Sequence, residues 1–514
     1  MNKDKPRIAI VTFTDDRDVG IADESVENHL RKKQNEIKSF LEKDSIEVID
    51  PLPEITRDKN NFWYGLRKIK EVNEAALILN NKYYVDAVII GAWTWSPPML
   101  IMQFVRKVNK PIMYYSENNP MGGGLSQFSA SSSSLLEWSS NEHASRHERN
   151  YGSRDEMLAW VTGVTAASRL RESALLLWGG TYAVKMEQLQ DDIPRLKSFL
   201  IRDILSEDQY ILVNRAEKII KNQPSRIKKF TEWAKNNGMK IIPDKKMLTE
   251  EAFSKQAALL IAARDRLDEL KDEDICGVSI KCQPEIYSEY RVDACTLPAF
   301  LPFPVNENGA QQIYPTVCEG DIKGLLSSMI LFYMNPAIPP AFGDLVSVED
   351  DYIEFANCGA GSLYWAANSC DPEKAFKNVT AIGNIHGESG ASFSYSGKQL
   401  DKITVLRLTR IRGRYYAQMG VGRALDTQSF LLEKMGKNNF ENHLGARWGK
   451  VVIDLGVKSG NFVKVIGANH LSVTAGDYSS QIEYFCRQAS IDIVRIDDDK
   501  SMLDFYNSVR SFDK

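Results

Sequence analysis

The sequence predicts an α/β protein: two Rossmann-like, doubly wound α/β domains followed by a β-rich, barrel-like C-terminal domain. Three observations carry this. Short apolar runs alternate with amphipathic stretches through the first third of the chain. A second alternating block begins near residue 172. From about residue 350, short strand-like runs are separated by Gly, Asn and Ser turns. Alternating strand and helix implies a parallel sheet covered by helices, whereas closely spaced short strands imply a barrel or sandwich. The expected boundaries are 1–170, 171–349 and 350–514, within the range that 514 residues allow.

The elements follow in order. "RIAIVTF" reads as a buried strand, residues 22–42 as an amphipathic helix and "SIEVID" as a strand. Residues 62–81 read as a helix, "DAVIIGAW" as a strand, "PPMLIMQFVRKV" as a helix and "PIMYYS" as a strand. In parallel sheets, functional groups gather at the carboxyl ends of the strands. Those ends are "TDDRDVG", "GAWTWSPP" and "YSENNPMGGGLSQFSASSSS", the last read as a mobile Gly/Ser loop. The second block gives strands at "SALLLWGG", "QYILVN", "MKIIPD" and "ICGVSI", with helices at 215–237, 249–270 and 320–334. The third gives strands at "DYIEFANCG", "ASFSYSG", "KITVLRLTRIRG" and "RYYAQMGVGRAL", with helices near 426–436 and 440–456.

Composition excludes several classes. Hydrophobic residues are 43% and charged residues 26%, as in ordinary globular proteins. The formal net charge of −4 gives no general attraction to nucleic acid or anionic membrane. The seven cysteines are odd in number and form no CxxC pair, which argues against a disulfide scaffold or a structural zinc site and for a reducing cytoplasm. The start "MNKDKPRIAIVTFTDD" lacks signal-peptide character, and "LLSSMILFYM" is too short to span a bilayer. There is no Walker motif, no GxGxxG after the first strand and no GxSxG.

Three stretches hold candidate chemistry. In "YPTVCEGDIKGLLSSMILF", Asp321 reads as a helix cap, and Glu319, after the extended "PTV", points from a strand end. In "AIPPAFGDLVSVEDDYIEF", Asp344 ends an apolar segment, apart from the acidic turn Glu349-Asp350-Asp351. In "VIGANHLSVTAGD", His470 follows a strand-like run. Alone, His470 is a turn residue, a metal ligand or a proton shuttle. Two carboxylates and one imidazole with open positions suit a divalent cation such as Mn²⁺. His29 reads as surface, His143 and His147 fall in a charged segment at helical spacing, and His386 and His443 lie in turns.

Across its whole length the chain resembles the L-fucose isomerase and L-arabinose isomerase superfamily, closer to the L-fucose isomerase branch. The resemblance rests on "TFTDDRDVG", "GAWTWSPPM", "LLWGGTYAVKM", "SIKCQPEI", "CEGD", "FGDL" and "ANHLS", in that order. It implies an aldose–ketose isomerase working through an enediol, with Glu319, Asp344 and His470 binding Mn²⁺ or another divalent cation. It implies substrate contacts from Arg17, Trp93, Gln283 and Asn469, and a homo-oligomer, commonly a hexamer, in which Arg17 and Trp93 act on a neighbour's site. The arabinose branch has a further histidine after the second carboxylate. "IEFANCGAGSLYW" has none, which favours the site of two carboxylates and one histidine.

The chemistry implied is a proton moved between C2 and C1 of an open-chain sugar, with Glu319 and Asp344 as base and acid. Tyr395 and Trp448 join Trp93 as aromatic faces for the sugar. The substrate expected is an unphosphorylated aldose. A 6-deoxy or 6-sulfo hexose is the alternative, for which Arg17, Arg412, Arg414 and Arg447 are candidate anion contacts. A non-catalytic cytoplasmic sugar-binding protein is the other, though it leaves the two carboxylates and His470 without a role.

Overall fold

In the computed structural model the described residues are 5–15, 23–57, 62–118, 123–137, 147–181, 183–385 and 390–511. They form two units: Met1–Ser168 with Ser480–Gln488, and Arg169–Ser479 with Ala489–Lys514.

The first unit is built on a parallel sheet of β1 (Arg7–Thr12), β2 (Glu47–Ile49), β3 (Ala87–Gly91), β4 (Ile112–Ser116) and β5 (His147–Tyr151), in the order β2-β1-β3-β4-β5. This is a doubly wound order. β3 and β4 are buried at every position, as their unbroken apolar runs require. The helix Glu24–Glu42 is capped by the Asp23 side chain and buries Glu27, Leu30, Gln34, Ile37 and Leu41, a stripe at helical spacing. Glu27 is tolerated there because its Oε2 accepts hydrogen bonds from the Tyr64 and Gly65 amides, at 2.7 and 2.8 Å.

The second unit opens with β6 (Ala174–Trp178), β7 (Asp203–Glu207), β8 (Lys240–Ile241), β9 (Ile275–Ile280), the hairpin β10 (Val305–Asn306) and β11 (Gly309–Ala310), and β12 (Thr316–Cys318). Four of these form a parallel sheet in the order β12-β9-β6-β7. Next come β13 (Ala341–Glu349), β14 (Tyr352–Ala356), β15 (Thr380–Gly383), β16 (Ala391–Ser396), β17 (Leu400–Ile411), β18 (Arg414–Leu425), β19 (Gly449–Asp454), β20 (His470–Ala475) and β21 (Asp492–Arg495). The antiparallel pairings β13–β14, β14–β19, β19–β18, β18–β17, β17–β20 and β20–β13 close a six-stranded barrel. Closure leaves no free edge among these six strands. The expected fold class is borne out.

Several local expectations are corrected. "QYILVN" opens the helix Tyr210–Asn222, which buries Leu212, Ala216 and Ile219, and the strand is the preceding β7. The helix expected over 215–237 is two, because Pro224 starts a second one. "GLSQFSASSSSLLE" is the helix Gly124–Glu137. Its Ser132 and Ser134 hydroxyls donate to carbonyls four residues back, at 2.5 and 2.9 Å, which removes their competition with the backbone. The second late helix does not run through 456, since Gly449–Asp454 is β19. Residues Ser459–Val465 are helical and His470 begins β20, so the histidine opens a strand instead of following one. His147 is in β5. Among the described residues, no helix is long and apolar enough to cross a membrane.

Candidate active site

"CEGD" converts the end of a strand into a turn and a helix. Glu319 N donates to Ile280 O at 2.9 Å, one residue past the β9–β12 pairing. The backbone then enters the left-handed region at Glu319 (φ 65°) and Gly320 (φ 68°). A Cβ on Gly320 would lie 2.8 Å from Gly180 O, so only glycine fits. Asp321 caps the helix Ile322–Met334, its Oδ1 accepting from Gly324 N at 2.8 Å.

The other two candidates come from the barrel. Asp344 on β13 and His470 on β20 are directly opposite partners in an antiparallel pair, so their side chains share a face. Gly343, just before, admits no Cβ, which would stand 2.7 Å from Ala356 C on β14. His470 Nε2 is 3.2 Å from Asp344 Oδ1 and 3.2 Å from Glu319 Oε2. One ligand atom from each of Glu319, Asp344 and His470 lies within 4.8 Å of the others. His470 is fully buried, while the Asp344 side chain is 23% exposed and opens the site to solvent.

Behind these lies a second set of contacts. His470 Nδ1 is 2.9 Å from Asp321 Oδ2. Arg407, fully buried, donates to Asp321 Oδ2 at 2.5 Å and to Oδ1 at 3.2 Å. Asn469 Nδ2 reaches Asp344 Oδ1 at 2.6 Å and His470 Nε2 at 3.1 Å, and Asn469 Oδ1 accepts from Gln188 at 3.1 Å. The Phe342 ring stands 4.7 Å from the imidazole. With Nδ1–H donated to Asp321 and Asn469 donating to Nε2, the hydrogen-bond network assigns a neutral tautomer whose Nε2 lone pair faces the carboxylates.

In that tautomer three lone-pair donors face one another. Glu319 Oε2 is buried and accepts no hydrogen bond, although Nε2 is near. Buried acceptors without a donor are costly. A proton or a cation resolves this. Burial lowers the His470 pKa, but the hydrogen bond to Asp321 and the nearby Asp344 and Glu319 carboxylates outweigh burial and hold it well above the ordinary histidine value. Burial raises the Asp321 pKa, but Arg407 and His470 pull it below the usual carboxylate range. A divalent cation in place of the Nε2 proton would satisfy all three donors at once. Two carboxylate oxygens and one imidazole nitrogen fit an ion such as Mn²⁺.

The remaining predicted residues are distributed differently. Asn469 commits its amide group to Asp344 and His470, which makes it a positioning residue in this arrangement. Gln283 leaves the carboxyl end of β9, the neighbour of β12, and is half-buried. Trp93 is a correction: it is fully buried in the first unit, its indole N–H 3.3 Å from Gln34 Oε1 and its ring edge-on to Tyr115, so it presents no open face. Tyr395 and Trp448 are also core residues, donating to Ser362 O at 3.0 Å and to Asn384 Oδ1 at 3.4 Å. Arg17 lies outside the described residues, as do His143 and His386. Arg412 sits in the β17–β18 turn, Arg414 is paired with Asp492 at 3.8 Å, and Arg447 donates to Gly383 O at 2.9 Å.

Sequence reasoning missed Arg407 and the second task of Asp321. Both left a signal. Arg407 interrupts the apolar run "VLRLT", and a charge buried in a strand needs a partner. Asp321 caps its helix with Oδ1, and its Oδ2 faces His470 and Arg407.

Residues 355–497 match the L-fucose isomerase C-terminal domain, a span that includes His470 and stops short of Glu319 and Asp344. The chain is similar to the sulfoquinovose isomerase of Alkalicoccus urumqiensis, 25% identical over 160 residues, covering 30% of this chain and 32% of that protein. It is 26% identical over 163 residues to the sulfoquinovose isomerases of Priestia aryabhattai and Priestia megaterium, covering 31% of this chain and 32% of each. The matched part spans about a third of the length of these curated relatives. Over residues 355–497 the resemblance to the L-fucose isomerase side of the superfamily is borne out.

Proposed function

We propose that this chain, whose residues 355–497 match the L-fucose isomerase C-terminal domain, is a divalent-metal-dependent aldose–ketose isomerase acting on a 6-sulfo aldohexose. The observation that carries the reaction is the convergence of Glu319, Asp344 and His470, from the end of β12, from β13 and from β20, onto one point. The 6-sulfo substrate is supported by the relatives named sulfoquinovose isomerase. Mn²⁺ is the cation the mixed oxygen and nitrogen set fits.

A cation held by Glu319, Asp344 and His470 would supply Lewis acidity to the reacting sugar. The chain supplies the rest. One carboxylate of the Glu319/Asp344 pair takes the proton from C2 while O1 gains a proton and the C1–C2 enediol forms; the O2 hydroxyl then gives up its proton, the carbonyl forms at C2 and the carboxylate returns its proton to C1. Asp344, partly open to solvent, and Glu319, nearly enclosed, face the point from different elements. Asp321 holds His470 in the tautomer that keeps Nε2 free, and Asn469 holds Asp344 Oδ1 in place. The same reading makes the protein a cytoplasmic homo-oligomer, a hexamer by the family resemblance, which light scattering tests.

The experiment is a panel of sulfoquinovose, L-fucose and L-arabinose incubated with Mn²⁺-loaded protein and assayed for ketose. Ketose from sulfoquinovose alone supports the full reading. Ketose from L-fucose or L-arabinose alone keeps the isomerase and removes the sulfo specificity. Glu319→Gln and Asp344→Asn should each lower turnover by roughly 10²–10⁴-fold with the fold intact. Saturable sugar binding without any ketose would replace this reading with the sugar-binding one.

A further inference from the structure

The two oxygens of the Glu319 carboxylate have different partners. Oε2 stands 3.2 Å from His470 Nε2, in the site already described. Oε1 accepts from the Cys358 thiol at 3.6 Å. Cys358 lies in the loop after β14, and Cys318 is the last residue of β12, immediately before Glu319. Cys318 Sγ, Cys358 Sγ and a Glu319 oxygen all lie within 4.8 Å of one another. Both cysteines are free. Cys318 is buried and Cys358 is half-buried, which leaves an approach through the Cys358 loop.

The spacing has a chemical meaning. Bonds of about 2.3 Å to sulfur and about 2.1 Å to oxygen at the tetrahedral angle separate the donor atoms by about 3.6 Å. The Cys358 Sγ–Glu319 Oε1 distance is already 3.6 Å, so this pair needs no rearrangement to share an ion. Asn357 stands beside the pair, its Nδ2 3.4 Å and its Oδ1 3.9 Å from Cys318 Sγ. Two thiolates and a carboxylate are a soft set, unlike the oxygen and nitrogen set on the other face of Glu319.

We propose that Cys318, Cys358 and Glu319 form a second cation site, for a thiophilic ion such as Zn²⁺ or Cd²⁺, back to back with the oxygen/nitrogen site and sharing its glutamate. Binding releases the two thiol protons and places the ion on Sγ of both cysteines and on Glu319 Oε1. The two sites are coupled through one carboxylate, so a thiophilic ion changes how Glu319 holds the cation on its Oε2 side. The proposal does not depend on the protein being an isomerase, because the sulfur ligands are read without turnover.

The test is a Cd²⁺ titration of the full, reduced chain with Mn²⁺ in excess, following the ultraviolet sulfur-to-cadmium charge-transfer band. Wild type should show a band that saturates at one Cd²⁺ per chain. Cys358→Ser and Cys318→Ser should each cut it to about half or less, one thiolate in place of two. Cys370→Ser, at a half-buried thiol that bonds Ala337 O instead, should leave it unchanged. Should Cys318→Ser fail to fold, Cys358→Ser in its loop carries the test alone. No band in wild type, or a full band in Cys358→Ser, overturns the proposal.

Discussion

Asp321 Oδ2 stands 2.9 Å from His470 Nδ1, and the same carboxylate is held by the buried Arg407. The aspartate that starts a helix therefore also sets the tautomer of the candidate metal ligand. Asp321→Asn keeps the cap, since asparagine caps equally well. It leaves Arg407 without a countercharge, which should cost about 3–5 kcal/mol. It should also weaken Mn²⁺ binding roughly 10–100-fold through the disturbed imidazole. Chemical denaturation and calorimetric Mn²⁺ titration check the two effects. A folded variant with unchanged Mn²⁺ affinity contradicts the orienting role.

His470 carries the pH dependence of the site. Its pKa in the metal-free protein is held well above the ordinary value by Asp321, Asp344 and Glu319 against the opposing effect of burial. A raised folded pKa contributes stability that is full below about pH 6.5, the unfolded value, and is lost as pH rises through the folded pKa. Metal-free protein should therefore lose melting temperature with rising pH in that window, and His470→Gln should lose less. Mn²⁺ affinity should rise over the same window, because the ion displaces the Nε2 proton. Mn²⁺ affinity independent of pH there would argue against a proton held at Nε2.

Gly320 tests the turn that aims Glu319. Its φ of 68° and the approach of Gly180 O to within 2.8 Å of any Cβ both oppose a side chain. Gly320→Ala should destabilise the protein by about 1–3 kcal/mol and reduce Mn²⁺ affinity by displacing Glu319. Thermal melts and the same titration measure this. Wild-type values in both would show that the turn does not fix the glutamate.

Much of this was legible in the sequence. The periodicity gave both parallel sheets and the β-rich end, because buried parallel strands are unbroken apolar runs such as "AVIIG" and "ALLLW". "CEGD", "FGD" and "NH" were readable because each combines a small or turn residue with a metal-binding type. The Gly/Ser stretch misled because serine composition suggests a loop, whereas hydroxyls that bond back to their own helix permit one. The aromatics misled because stacking on a ligand and packing in a core use the same residues. Trp93 and Trp448 are distinguished only by burial. Barrel closure, through the contact of β18 with β19, joins strands far apart in the chain and leaves no local mark.

Lys450 gives a pH effect away from the site. It is buried on β19, 3.4 Å from Ala446 O and 3.5 Å from Trp448 O. Burial pushes its pKa down to about 8, against the opposing charge of Glu354. Between that value and about 10.4 the unfolded chain binds more protons, so stability rises with pH. Lys450→Met lacks this rise. Its stability relative to wild type should fall by roughly 3 kcal/mol between about pH 7 and about pH 10. Urea unfolding at the two pH values measures it, and parallel shifts in both proteins contradict it.

The central claim is that Glu319, Asp344 and His470 hold one divalent cation. Its most direct test is Mn²⁺ stoichiometry by electron paramagnetic resonance on chelator-stripped protein, for wild type, Glu319→Gln, Asp344→Asn and His470→Gln. The account predicts one tightly bound Mn²⁺ per chain in wild type and loss of that ion in all three variants, each still folded. Wild type that binds no Mn²⁺, or variants that bind it as tightly as wild type, would contradict the account.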